Sequence, residues 1–362
     1  MDNKNYVNLF VLICFGLLLR VLGNYAGNGI SGSLDFAGGI SANSFFGARS
    51  SFVFPWLADN LHFNLGNFFG ADIFGLIFGI LSIIILYFIG YISSKENSNM
   101  GLFAGTICAV SGMLIAFGHS LNFVNLVFFI SSLIVFLSLK GLKNKKLGNL
   151  TAIAVLSCLL VLLHPVSIFF VIFNFIAIFA FSNQKVKIDK AFTNFLFPLM
   201  LAIPICLFMI FGFLDVKANP FSININDVLV SYSALFSINP VGLKIAGVNQ
   251  NILNSIVFWI FVFTPSIISA YFIFRTFVHQ KHNIYWALST SFATFFTVYL
   301  ILNVLKINFA ACHIIEIYPL FIFLFAKGIM LHKEKATRGV LFGLFVLLNV
   351  LGCLFLGLPV LK

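Results

Sequence analysis

The chain has 362 residues, of which 61% are hydrophobic and only 9% charged, with 49 phenylalanines and a formal net charge of +11. A soluble fold of this length must cover its surface with charged side chains, and 21 basic and 10 acidic residues cannot do so. Apolar stretches of membrane-crossing length recur along the chain, without the short alternating segments of a barrel strand, so the composition predicts an all-α polytopic membrane protein.

In chain order, the apolar runs place spans at 6–23, 73–92, 100–118, 121–139, 149–163, 166–182, 193–214, 253–274, 284–305, 314–331 and 339–360, about eleven helices in a single transmembrane domain, 1–362. The first run, behind Lys4, resembles a signal peptide in length. Arg20 near its end and the many spans that follow favour an uncleaved first helix. Only His164 and Pro165 separate the fifth and sixth runs, and a proline there ends one helix and starts the next. The six cysteines (Cys14, Cys108, Cys158, Cys206, Cys312 and Cys353) have no framework spacing and read as small apolar residues.

Basic residues fix the expected orientation. With the N-terminus inside, fifteen Lys and Arg fall in inner segments, chiefly around 140–146, 185–190 and 327–338. Six fall outside: Arg20, Arg49, Lys217, Lys244, Lys306 and Lys362. The positive charge is therefore a topology signal beside anionic membrane lipids, and no nucleic acid is expected as a partner. Most acidic residues, together with His62, His119, His164 and His313, sort to the outer side. Two outer segments are long, 24–72 and 215–251. The first is expected to carry interfacial helices over roughly 41–66, where Phe45, Phe46, Phe52, Phe54 and Trp56 make it too apolar for a free linker.

An inside N-terminus, a first span ending in Arg, and a large first outer loop with an early Asp resemble the GT-C membrane glycosyltransferases. The likeness is to the branch of protein O-mannosyltransferases and lipid A aminoarabinose transferases. LLLRVLGNY (17–25) is similar to that family's first span running into its catalytic loop, and FVFPWLADNLHFNLG (52–66) to its proline-containing loop helix. ADIFGLIFGILSIIILYFIGYISS (71–94), AVLSCLLVLLHPVSIFFVIFNF (154–175) and CHIIEIYPLFIFLFAKGI (312–329) resemble its second span, a hairpin and a late span. The chain departs from the pattern in two places. Asp35 is followed by Phe36 where the family often has an acidic pair, and Asp72 stands where many members have Arg.

The resemblance implies transfer of a sugar from a polyprenyl-phosphate donor to a lipid, glycan or protein acceptor on the outer face of a bacterial inner or plasma membrane. It implies Asp35 as the catalytic base; a helix-cap or turn Asp fits the same Gly- and Ser-rich surroundings. Arg49, Lys306 and His313 are the expected phosphate-binding groups, whereas Arg20 suits a snorkelling role at a span end. His313 and Glu316 stand three residues apart on one helix face. With another outer His they offer donors for a divalent metal; alternatively Glu316 pairs with Lys306 or Arg20. Metal dependence is left open. His119 and His164 read as cavity-flanking or solvated turn residues, and Asp59 and Asp72 as supporting or solvated acids. No Walker loop, dinucleotide fingerprint, nucleophile elbow or zincin motif occurs. Other readings are an O-antigen or capsule polymerase, a lipid-linked sugar flippase or transporter, a structural subunit, and an inactive relative of the GT-C enzymes.

Overall fold

The computed structural model describes residues 3–27, 72–94, 98–116, 124–144, 149–164, 166–181, 259–279, 282–304 and 311–355, together with Met200. Seven helices come first: α1 (Asn3–Gly27), α2 (Asp72–Ser93), α3 (Ser98–Ala109), α4 (Gly112–Ala116), α5 (Val124–Asn144), α6 (Asn149–Leu163) and α7 (Ser167–Phe181). A π turn (Trp259–Phe263) leads into α8 (Thr264–Val278) and α9 (His282–Val304) follows. A 3₁₀ turn (Ala311–Ile317) leads into α10 (Tyr318–Leu331), and α11 (Lys335–Phe355) closes the series. Among the described residues there is no strand. Five helical segments are long and apolar enough to cross a membrane: Gly75–Ser93, Asn125–Leu142, Asn283–Ile301, Ile314–Leu331 and Lys335–Gly352. The apolar segments of α1, α3, α6 and α7 are shorter. The run at 193–214, the interfacial helices at 41–66 and the long segment 215–251 lie outside the described residues.

Sequence and structure differ where polar side chains or proline redirect an apolar run. The run at 100–118 is expected as one helix, but α3 stops at Ala109 and α4 restarts at Gly112. Ser111 caps the restart: its hydroxyl accepts the Leu114 amide at 3.4 Å, and its carbonyl accepts the Ile115 amide at 2.9 Å. Likewise the run at 314–331 opens as a 3₁₀ turn, kinked at Ile314 (φ −124°, ψ 24°), and becomes α-helical only at Tyr318, with a proline in the first turn. The break at His164-Pro165 is found as expected, between Leu163 and Ser167.

Packing is centred on α10. All but three of its fourteen residues are buried, and it touches α2, α3, α5, α8 and α9. A helix apolar all round needs neighbours on every side, and α10 has them. By contrast α1 turns Tyr6, Val7, Phe10 and Leu18 outward and α11 turns out Val340 and Leu347, the arrangement of helices at a lipid-facing rim. Close approach of α8 and α10 depends on Gly328: a Cβ there would meet the Phe272 carbonyl and come within 2.8 Å of Thr276 Oγ1. The same Thr276 hydroxyl lies 2.8 Å from the Leu324 carbonyl and 3.1 Å from that of Phe272, bridging the two helices.

A polar chain joins three further helices. Trp286 Nε1 of α9 donates to Asn174 Oδ1 of α7 at 2.9 Å, Asn174 Nδ2 donates to Ser138 Oγ of α5 at 3.2 Å, and Ser138 donates to the Ile134 carbonyl at 2.7 Å. Trp286, Asn174 and Ser138 are all buried. Trp286→Phe keeps an aromatic ring but removes the bond to the Asn174 oxygen, at a cost of about 1 kcal/mol. A lowered unfolding midpoint in detergent, restored in part by Asn174→Leu on the same background, is the expected result.

Candidate functional site

Polar side chains gather where α1, α4 and α6 end, where α2, α5 and α7 begin, and where the 3₁₀ turn enters α10. Arg20 is fully buried, which corrects the expectation that it snorkels at a span end. It donates through Nη1 to the Gly16 carbonyl at 3.1 Å, and its guanidinium fills the space opposite Gly79 of α2, where a Cβ would sit 2.6 Å from Nε. Burying a guanidinium costs several kcal/mol in hydration; the recess left by Gly79 makes room for it, and the Gly16 carbonyl accepts one of its N–H groups.

The Tyr318 hydroxyl at the start of α10 meets the Ser111 hydroxyl at 3.3 Å, while the Tyr318 ring packs against Phe128 with centroids 5.6 Å apart. Asn125 at the start of α5 donates to the Gly75 carbonyl at 3.0 Å and to the Leu114 carbonyl at 3.2 Å, tying α5 to α2 and α4. Neither Ser111, Asn125 nor Tyr318 is singled out by the sequence, because isolated Ser, Asn and Tyr are common in membrane helices; only the fold brings them to one end.

Glu316 is the most demanding group. It is fully buried in the 3₁₀ turn, and among the described residues neither carboxylate oxygen has a hydrogen-bond partner. His164 Nδ1 faces Glu316 Oε2 at 3.5 Å and lies 2.9 Å from Ser167 Oγ. This corrects two expectations. His164 is a buried side chain rather than a solvated turn residue, and the described partner of Glu316 is His164, not Arg20; the expected pairing with Lys306 lies outside the described residues. Removal from water pushes the His164 imidazole down to about 4, because the charged form loses its hydration. The spacing of His164 and Glu316, 152 positions apart, gave no hint of contact; the α6–α7 turn and the 3₁₀ turn bring them together.

Of the other expected site residues, Asp72 opens α2 and His313 lies within the 3₁₀ turn, their side chains being outside the described set. Asp35, Arg49, Asp59, His119 and Lys306 lie outside the described residues. Among the described residues no three His, Cys, Asp or Glu side chains gather as metal donors. Glu316 and His164 together supply two donors, whereas a structural zinc site takes four. No family model matches the chain, and no curated protein shows detectable sequence similarity to it.

Proposed function

We propose that the chain is a membrane glycosyltransferase of GT-C-like build, moving a sugar from a polyprenyl-phosphate donor to a lipid, glycan or protein acceptor. The observation that carries this reading is the burial of Arg20, Ser111, Tyr318, His164 and Glu316 at one end of an apolar bundle. Ionisable groups are costly there and mark function by default. Asp35 follows Gly27, the last residue of α1, by eight positions. Asp35 then takes the proton of the acceptor hydroxyl or amine as that nucleophile attacks the anomeric carbon. The sugar–phosphate bond breaks with inversion, and Arg49, Lys306 and His313 hold the departing polyprenyl phosphate.

The decisive experiment incubates purified protein in liposomes with radiolabelled polyprenyl-phosphate sugars. Release of polyprenyl phosphate with label in an acceptor is the expected result. A second reading, a lipid-linked sugar flippase or transporter, draws on the same buried Arg20 and Glu316, since such proteins keep charged groups within the bundle. Intact donor crossing the liposome without cleavage would select it, and neither event would dismiss both.

Eleven spans with an inside N-terminus and an outer site belong to this reading, on the strength of the fifteen-to-six division of basic residues. In a cysteine-free background, Asn43→Cys and Asn144→Cys are expected to react with an impermeant maleimide from opposite sides of the membrane. Labelling from one side would remove the topology and the outer site with it.

A further inference from the structure

We propose that Glu316 and His164 form a proton-binding site inside the helix bundle, one exchangeable proton being shared between the carboxyl and the imidazole. The inference stands apart from sugar transfer and needs only the geometry around these two side chains. An ionised carboxylate without water or side-chain donors is unfavourable by several kcal/mol, and among the described residues Glu316 is fully buried with no side chain donating to its oxygens. What faces it is a ring nitrogen at 3.5 Å. Two lone pairs at that approach repel; one proton between them turns the contact into an attraction.

Ser167 suits this role. Its hydroxyl, 2.9 Å from the same Nδ1, accepts from the nitrogen when that atom carries hydrogen, and can rotate its own hydrogen away to leave the single lone pair to the carboxyl proton when it does not. A hydroxyl has the rotational freedom to suit both protonation states. With the imidazole neutral the proton sits on the carboxyl and points at Nδ1; with hydrogen on Nδ1 the N–H points back at the carboxylate. Uptake adds one proton from water and release returns it; only N–H and O–H bonds change. The route is short. Glu316 is fully enclosed while His164 at the α6–α7 turn is 8% exposed, so the imidazole edge is the port.

No other described titratable side chain competes for this proton. The elements packed against the 3₁₀ turn are α5, α7, α9 and α10. In α10 the Tyr318 hydroxyl is engaged with Ser111, and Lys327 is eleven residues beyond Glu316, about 16 Å along a helix. Lys140 is near the far end of α5 and Tyr285 near the far end of α9; Tyr299 of α9 stacks on Phe295. No titratable group occurs in α7. No Lys or Arg among the described residues is in ion-pair contact with Glu316.

Infrared difference spectroscopy of the full chain in detergent, titrated with pH, reads the site directly. A carboxylic-acid C=O band is expected at neutral pH, lost on alkalinisation, absent in Glu316→Gln and retained in Glu316→Asp. In His164→Gln the acid loses its strongest acceptor, and the midpoint of the band should fall by about one pH unit or more. Three results overturn the proposal: no band sensitive to Glu316→Gln at any pH at which the protein stays folded, an unchanged midpoint in His164→Gln, or a band that emerges only after chelator treatment. The last would assign the carboxylate to a metal cation instead.

Discussion

Asp35→Asn is expected to lower sugar transfer by about 10²–10⁴-fold, the usual contribution of a positioned general base. Asparagine keeps the size and much of the hydrogen bonding of aspartate but has no basicity at neutral pH. Expression and retention of donor lipid should therefore stay near wild type while turnover collapses. The competing role, a helix cap or turn, leads to the opposite result, because asparagine serves as well as aspartate at such positions. Asp59→Asn and Asp72→Asn, in the same outer segment of the sequence, are the comparisons, with milder losses expected. Liposome assays with a labelled donor give the rate; glycolipid and glycoprotein profiles of cells carrying each variant give the same answer without a known acceptor. Wild-type profiles from the Asp35→Asn strain, beside an altered profile in the deletion strain, would end the catalytic role of this residue.

Gly328→Val is expected to be the most damaging single change to the fold. A Cβ at position 328 would run into the Phe272 carbonyl and approach its carbon to 2.5 Å. That obstacle is helix backbone, which cannot rotate away as a side chain would, so α8 and α10 must separate. Separation also breaks the Thr276 hydroxyl contact with Leu324 at 2.8 Å. Overpacking at such a contact costs about 3 kcal/mol or more, at the upper end of the range for well-packed cores. Gly343→Ala on α11 is the matched control, because nothing lies within 4 Å of its Cβ position. It should be neutral or stabilising by up to about 1 kcal/mol through helix propensity. Fluorescence-detected size exclusion after a heating series measures both. Equal thermal survival of Gly328→Val and Gly343→Ala would mean that α8 and α10 do not meet as described.

The sequence was most informative where solvent dictates the answer. With 61% hydrophobic residues the bilayer is the only medium that suits the chain, and a chain in lipid satisfies its backbone internally, so helices were legible from composition alone. The break at His164-Pro165 was equally legible, since proline has no amide to donate. Apolar content, however, does not record where a helix pauses. Ser111 caps a restart inside a run that looked continuous, and the first turn before Pro319 is 3₁₀ rather than α.

The candidate site divides in the same way. Sequence alone marked Glu316, His164 and Arg20 as ionisable groups near the ends of apolar runs, because charge in such runs stands out against its surroundings. It did not reveal that Arg20 would turn inward onto Gly79, that Glu316 would lose all contact with water, or that His164 would be its described partner. Those outcomes depend on which helix ends meet. Helix ends meet according to close-packed contacts such as Gly328 against Phe272, between residues 56 positions apart, which leave no periodic trace in the chain. Composition and proline placement thus determined that this is a bundle of apolar helices and where several of them end. Only tertiary packing decided which polar groups share one end, because the cost of burying a charge is set by its neighbours in space and not by its neighbours in sequence.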